Sequence, residues 1–148
     1  MWSGCCSRSR KSKYSLYCVV KMKNIKVRNK TAPLNAALQA GYCESFSCRL
    51  KGLMFRKSIP DDWGLLLVEG SESIVNSAIH MFFVPFDLGV IWINNQYEVV
   101  DVAVARRWIG LKSPKKPARY ILEVTPARAG EFHVGDKLEF VNEKAKRK

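Results

Sequence analysis

Three charged or titratable residues stand out in this 148-residue chain because they accompany apolar segments: Arg49, His80 and Asp87. His80 lies in the apolar run 78–84, and histidine is the residue type that can donate, accept or exchange a proton near neutral pH. Asp87 follows Pro85 and can reach Arg49 or His80 if the chain reverses there. Because convergent polar groups in an apolar pocket orient a ligand, these three residues predict a small-ligand site.

Each of the three residues also has a structural interpretation. A buried His80 would be hydrogen-bonded to a neighbour, Asp87 would cap its tight turn, and Arg49 would cover apolar surface with its stem. Accessory candidates for the same site are Arg56, Trp108, Arg119 and Asp136. Arg56 could bind an anion bidentately, whereas Trp108 could either stack a sugar or base or form a lid on the core.

Catalysis has little support in the sequence. A nucleophile elbow, an H-E-x-x-H zinc motif and a glycine-rich phosphate loop are all absent. The alternative enzyme hypothesis is a hydrolase that uses His80 with Asp87, and it requires a nucleophile within hydrogen-bond reach of His80. We therefore favour a non-catalytic module that binds a small ligand or a protein partner, with no cofactor.

The cysteines suggest neither a zinc site nor a disulfide framework. The chain has five of them, at positions Cys5, Cys6, Cys18, Cys43 and Cys48. A structural zinc site needs about four ligands at short spacings, and a disulfide framework is expected in secreted proteins with even counts. We expect Cys43 and Cys48 to be ordinary buried or half-buried thiols, and we predict no metal.

The net charge of +12 lies at the two ends of the chain. Residues 1–30 hold nine Lys/Arg and no acidic residue, and residues 142–148 hold four Lys/Arg and one Glu. Residues 31–141 are left with 12 basic and 12 acidic side chains. A nucleic-acid module usually carries its charge on the fold. The tails therefore predict weak polyanion binding through counterion release, or they simply keep a neutral domain soluble.

The same charge pattern divides the chain into a basic leader (1–24), a folded domain (25–141) and a basic tail (142–148). Met22 is a candidate for the true start, because a strand pattern begins there. No apolar run approaches the ~20 residues that cross a bilayer, and the leader lacks a signal-peptide pattern. We expect a cytoplasmic monomer with no membrane partner.

Short apolar or alternating segments predict a mostly β domain: a compact single-domain β-sandwich or barrel-like fold of about seven strands with one or two short helices. The predicted strands cover 24–28, 34–42, 64–69, 78–84, 87–93, 97–105, 120–124 and 138–140. Segment 34–42 is also compatible with a helix. Segments 78–84 and 87–93 are apolar on both faces, which predicts central strands that are covered on both sides.

A short helix is predicted over 45–51, with Ser45 as its N-cap and Gly52 ending it in a left-handed turn. Its core-facing side is expected to consist of Phe46, Leu50, Leu53 and Met54. Arg49 should point away from that side. A second helical turn is predicted at Thr125-Pro126, which form an N-cap and N1 pair.

Four segments, in order, resemble motifs of the DUF192 family, also called UPF0127. They are Arg49-Leu-Lys-Gly52-Leu53-Met54-Phe-Arg56, the stretch 77–87 with Ile-His-x-Phe-Phe and Pro-x-Asp, Ala118-Arg119-Tyr120-Ile-Leu122-Glu123, and Val134-Gly135-Asp136-x-Leu138. The resemblance covers about residues 25–141 and implies a compact β-rich domain without an assigned activity. The chain departs from members that carry a signal peptide or a membrane anchor.

Overall fold

The computed structural model describes residues 22–142, which form nine strands and two short helices. The strands are β1 (Lys23–Asn29), β2 (Leu38–Cys43), β3 (Trp63–Ser73), β4 (Ile79–His80), β5 (Leu88–Ile93), β6 (Val99–Ala105), β7 (Leu111–Lys112), β8 (Ala118–Val124) and β9 (Leu138–Asn142). The helices are α1 (Phe46–Lys51) and α2 (Pro126–Ala129). The predicted leader and tail lie almost entirely outside the described residues.

Seven strands form one sheet in the order β6-β5-β8-β3-β2-β1-β9. Neighbours are antiparallel except β2 and β3, which are parallel. The two outer strands approach each other, because Glu98 and Lys137 form a bridge and the Leu138 N–H donates to the Tyr97 carbonyl at 2.8 Å. The sheet is therefore barrel-like, which leaves little free edge. The prediction of a mostly β single domain with short helices is confirmed.

Both faces of this sheet are covered by apolar side chains. Along β3, Leu66 and Val68 belong to the inner cluster, whereas Leu65 and Leu67 belong to a second cluster on the outer face. The alternation follows from the two-residue period of a strand. Leu53 and other residues after α1, together with β4 and the loop after it, cover the outer cluster. The site described below lies on this outer face.

Segment 78–84 is not a central strand. Only Ile79–His80 pairs, with β7 in a separate two-stranded sheet. The chain then turns, because the Val84 N–H donates to the Met81 carbonyl and Phe83 adopts a φ of 60°. Phe82 and Phe83 are exposed as a result. The prediction was wrong because an apolar run does not reveal whether its side chains are covered.

Helix α1 begins and ends as predicted, but it presents a different side to the protein. Ser45 Oγ accepts a hydrogen bond from the Cys48 N–H, and Gly52 has a φ of 45°. Phe46 and Leu50, expected in the core, are 73% and 57% exposed. Arg49, expected to point away, contacts the sheet instead. The predicted apolar stripe of the helix was therefore wrong, because hydrogen bonds of Arg49 rather than apolar burial orient it.

Cys43 and Cys48 form a disulfide, which corrects the prediction of free thiols. Their Cα atoms are 5.7 Å apart, within the range that a disulfide spans. Cys43 ends β2, and the first turn of α1 returns Cys48 to the end of that strand. The error came from reading five cysteines as an odd set, when two of them are local neighbours in the fold.

Candidate functional site

A cavity of about 400 Å³ opens between α1 and the outer face of the sheet. Its polar lining includes Arg49, Glu69, Asn76, His80 and Glu123. Its apolar lining includes Phe46, Leu50, Leu53, Met54, Leu67, Ile79, Val84, Leu88 and Ile121. A few polar groups within mainly apolar walls are typical of small-molecule sites.

Glu123 is the most unusual group in this cavity. It is 5% exposed, and its Oε2 has no hydrogen-bond partner among the described residues. Burial raises the pKa of this carboxyl to about 8, while the positive charge of Arg56 acts in the opposite direction. Glu123 therefore holds a proton at neutral pH and can either donate or accept a hydrogen bond.

The glycine that ends α1 lies next to the Glu123 carboxyl. A Cβ atom placed on Gly52 would lie 4.0 Å from Glu123 Oε2 and 3.7 Å from the Arg49 carbonyl. The φ of 45° at Gly52 also disfavours other residues there. The Gly52 turn thus carries the chain past the buried carboxyl without covering it with a side chain.

His80 contributes a second unpaired polar atom. Its Nε2 lies 3.4 Å from the Leu50 carbonyl, and its ring stacks on Phe82 with centroids 5.6 Å apart. Its Nδ1 is buried without a hydrogen-bond partner in the described part of the chain. With Nε2 donating to the carbonyl, Nδ1 is a hydrogen-bond acceptor.

Arg49 lines the same cavity, but its guanidinium is engaged within the protein. Its Nη1 donates to the carbonyls of Glu44 and Val68 at 2.8 and 2.9 Å. Its Nε lies 3.3 Å from Glu69 Oε1. These contacts fix α1 on β3 and balance the Glu69 charge, so Arg49 shapes the cavity wall as well as facing it.

Asp87 is not among the residues that line the cavity. Its Oδ1 accepts a hydrogen bond at 3.0 Å from the backbone N–H of Arg107, which lies in the loop after β6 and not in the turn that Asp87 was predicted to cap. The structure thus brings Arg49 and His80 to one cavity and leaves Asp87 in the loop that precedes β5.

The four accessory candidates also lie outside the cavity lining. The Arg56 guanidinium lies 5.0 Å above the Trp63 ring, and Arg119 Nε donates to the Glu69 carbonyl at 3.1 Å. Asp136 is buried and accepts a hydrogen bond from the side chain of Asn29 at 2.7 Å. Trp108 is 57% exposed rather than packed as a lid.

No serine, threonine or cysteine of residues 22–142 is among those that line the cavity. Within the described part of the chain, the lining therefore offers no side-chain hydroxyl or thiol as a nucleophile for the hydrolase hypothesis. Over the same range, no group of His, Cys, Asp and Glu side chains is arranged to hold a metal ion. None of the helices within it is long and apolar enough to cross a membrane.

Glu123 was not among the site residues predicted from the sequence. A signal was present, since a single acidic residue stands between Leu122 and Val124 in an otherwise apolar strand. Strand alternation places it on the same side as Ile121, which faces the outer cluster. That both sides of β8 are buried could not be read from the segment alone.

The fold and the cavity define a small barrel-like β domain with one carboxyl buried at a cavity wall. The chain belongs to the DUF192 family, described as "Uncharacterized ACR", whose model matches residues 25–140. A UPF0127 protein of Pyrococcus furiosus is 33% identical over 114 residues, which cover 76% of this chain and 95% of that protein. A UPF0127 protein of Thermococcus kodakarensis is 37% identical over 99 residues, which cover 66% of this chain and 61% of that relative.

Two crystal structures share the fold. A protein of Sinorhizobium meliloti, named as a proposed transcription regulator, superposes with a TM-score of 0.72 at 20% identity and covers 82% of this chain and 97% of that one. A protein of unknown function from Novosphingobium aromaticivorans gives a TM-score of 0.63 at 20% identity, with 78% and 83% of the two chains covered. At this identity, the likeness establishes the architecture alone.

Proposed function

We propose that this domain is a non-catalytic binding module that holds a small, neutral, hydroxyl-bearing molecule in the cavity beneath α1. The observation that carries the proposal is the buried Glu123 carboxyl, which lines the cavity with one oxygen unpaired. Leaving a buried polar group unpaired costs about 1–3 kcal/mol. A ligand that hydrogen-bonds to this oxygen would recover that cost.

The unpaired groups indicate what kind of ligand fits. His80 Nδ1 needs a hydrogen-bond donor, and the protonated Glu123 carboxyl can donate and accept. A hydroxyl group meets both needs. An anionic ligand is less suitable beside Glu123, because the guanidinium of Arg49 is already hydrogen-bonded to carbonyls and paired with Glu69. The other basic residue of the lining, Lys51, is exposed to solvent.

The remaining walls favour a ligand with an apolar side. Leu53, Leu67 and Ile121 are buried residues of the outer cluster that line the cavity. Phe46 also lines it and is mostly exposed, so its ring is available to contact a sugar-like face. We place the function in the cytoplasm, following the sequence-based expectation.

The test is a ligand-observed NMR screen of the full chain against three sets of small molecules: neutral polyols and sugars, organic anions, and primary amines. The affinity of each binder is then measured for the Glu123→Leu variant and for a matched control, Glu139→Leu. Glu139 lies in β9, an outer strand of the sheet. We expect neutral hydroxylated binders whose affinity falls at least about tenfold in Glu123→Leu, the equivalent of one lost hydrogen bond to a buried carboxyl. Binding confined to anions, or equal affinity for both variants, would contradict the proposal.

A further inference from the structure

The folded domain has no net charge, but its charged side chains are unevenly distributed. Segments 49–57, 80–87 and 104–113 together contain seven Lys/Arg and one acidic residue, Asp87. Since residues 31–141 are neutral in sum, the rest of the domain carries the compensating acidic excess. The basic character of the protein is therefore not confined to its tails.

Backbone hydrogen bonds place these three segments side by side. The Phe55 N–H donates to the Phe83 carbonyl at 2.9 Å, and the Met81 N–H donates to the Gly110 carbonyl at 3.0 Å. The Trp108 N–H donates to the Val84 carbonyl at 3.3 Å. The loop after α1, the loop after β4 and the loop after β6 thus form one continuous surface.

This surface exposes a set of large apolar side chains, which we call the aromatic end. Its members, each more than half exposed, are Phe55, Phe82, Phe83, Trp108, Ile109 and Leu111. Contiguous apolar surface of this kind marks an interaction site in soluble domains. Basic residues of the same segments surround it: Lys57, Arg106, Arg107 and Lys112 are exposed as well.

Three members of the aromatic end have an unfavourable backbone conformation. Phe55, Phe83 and Trp108 have φ angles of 65°, 60° and 63°. Bulky residues rarely adopt positive φ, and such strain concentrates at functional sites. Here it occurs at three neighbouring loop positions whose side chains all remain exposed.

We propose that the aromatic end docks onto the surface of a membrane that contains anionic lipids. Tryptophan and phenylalanine side chains favour the headgroup region, and aliphatic side chains enter the acyl boundary. The surrounding Lys and Arg complement the negative headgroups. Single-stranded nucleic acid fits less well, because Ile109 and Leu111 offer no ring for a base to stack on.

The expectation of no membrane partner rested on the lack of a spanning segment. Surface attachment requires none, since loops and amphipathic faces bind at the interface. The docking proposal is independent of the ligand proposed for the cavity, and either can fail alone.

The first test is cosedimentation of the full chain with vesicles of phosphatidylcholine alone or mixed with phosphatidylglycerol. We compare wild type with the double variant Phe83→Asn/Trp108→Asn, because asparagine tolerates positive φ and should preserve the loops. Tyr97→Asn is the matched control, since Tyr97 has a φ of 59° but lies in the turn between β5 and β6. We expect binding to the mixed vesicles, an affinity loss of at least about tenfold in the double variant, and no change in the control.

A second pair of variants separates the docking surface from general charge attraction. Arg106→Glu/Arg107→Glu reverses two positive charges beside the aromatic end. Lys115→Glu/Lys116→Glu makes the same charge change in the loop before β8, where the Lys115 N–H donates to Asp101. We expect a larger loss of vesicle affinity for the Arg106/Arg107 variant than for the Lys115/Lys116 variant. Equal losses for both pairs, unchanged binding of the double asparagine variant, or retention of single-stranded oligonucleotide without vesicle binding would overturn it.

Discussion

At the scale of single residues, Glu123 is expected to lower the free energy of unfolding. It is buried, and one of its oxygens is unpaired among the described residues. Replacing a buried unpaired polar group by an apolar one of similar volume is often stabilising. We expect Glu123→Leu to raise the free energy of unfolding by about 1–3 kcal/mol.

The measurement is urea denaturation of wild type and Glu123→Leu at pH 7, with Glu139→Leu as the control at a partly exposed position. A lower midpoint for Glu123→Leu than for wild type would mean that the carboxyl is satisfied in solution. It would remove the energetic argument for a ligand.

The same residue should make stability depend on pH. Its pKa is raised from 4.5 to about 8 in the folded protein, so between these values the unfolded chain has released a proton that the folded protein retains. Stability from this group is complete below about pH 4.5 and falls as pH rises toward 8, by about 1.4 kcal/mol per pH unit.

This loss is isolated by comparing wild type with Glu123→Gln in denaturation experiments from pH 5 to 9. We expect the variant to have a flatter profile, since glutamine does not titrate and every other side chain is the same in both proteins. Parallel profiles would show that Glu123 is ionised in the folded state.

Residue types alone could identify part of this site. Arg49 and His80 stood out because they are polar groups in or beside apolar segments, and both line the cavity. Glu123 did not, because the sequence of its strand does not show that the side carrying Glu123 is covered. Whether a side of a strand is covered is decided by distant segments, here by the residues that follow α1.

At the scale of elements, the sequence predicted those features that depend only on neighbouring residues. Ser45 and Gly52 lie at the two ends of α1 as predicted, since an N-cap and a glycine with positive φ depend on a few neighbouring residues. The orientation of α1 was not local, because the carbonyl of Val68 and the carboxylate of Glu69 hold Arg49. The prediction of a central strand over 78–84 was wrong for a related reason, since the sequence does not distinguish exposed phenylalanines such as Phe82 and Phe83 from buried ones.

The disulfide should stabilise the junction between β2 and α1. Cys43 and Cys48 are five positions apart, and closing a loop of this size removes about 2 kcal/mol of unfolded-state entropy at 25 °C. We expect dithiothreitol to lower the unfolding midpoint of wild type and to leave that of Cys43→Ser/Cys48→Ser unchanged. Identical unfolding of wild type with and without reductant would contradict this prediction.

The same bond bears on location. Disulfides persist in oxidising compartments and are rare in the cytosol of mesophiles. The Cys43–Cys48 bond therefore favours an oxidising compartment, whereas the sequence-based expectation is a cytoplasmic location. Alkylation of thiols in intact cells decides between them, because a cytosolic protein should yield Cys43 and Cys48 as reduced, alkylated residues.

At the scale of the whole molecule, the sheet closes through contacts between segments that are far apart in the sequence. Glu98 meets Lys137, and α2 packs against β5 and β6 while Ala129 joins the inner cluster. The sequence predicts a mostly β domain and the segments that form the seven-stranded sheet, but not the order of the strands in that sheet. That order includes one parallel pair, β2 and β3, which no local pattern predicts.

Closure depends on close approach of α2 to the sheet, which Gly89 of β5 allows. A Cβ atom on Gly89 would lie 2.4 Å from Ala129 Cβ and 2.8 Å from the Thr125 carbonyl, so α2 would have to move. We expect Gly89→Ala to lower the free energy of unfolding by about 1–3 kcal/mol through overpacking. Gly70→Ala is the matched control, because no atom lies within 4 Å of a Cβ there, and it should be neutral or slightly stabilising. If urea denaturation gave the two variants equal midpoints, α2 would not be held tightly enough on β5 to close this end of the barrel.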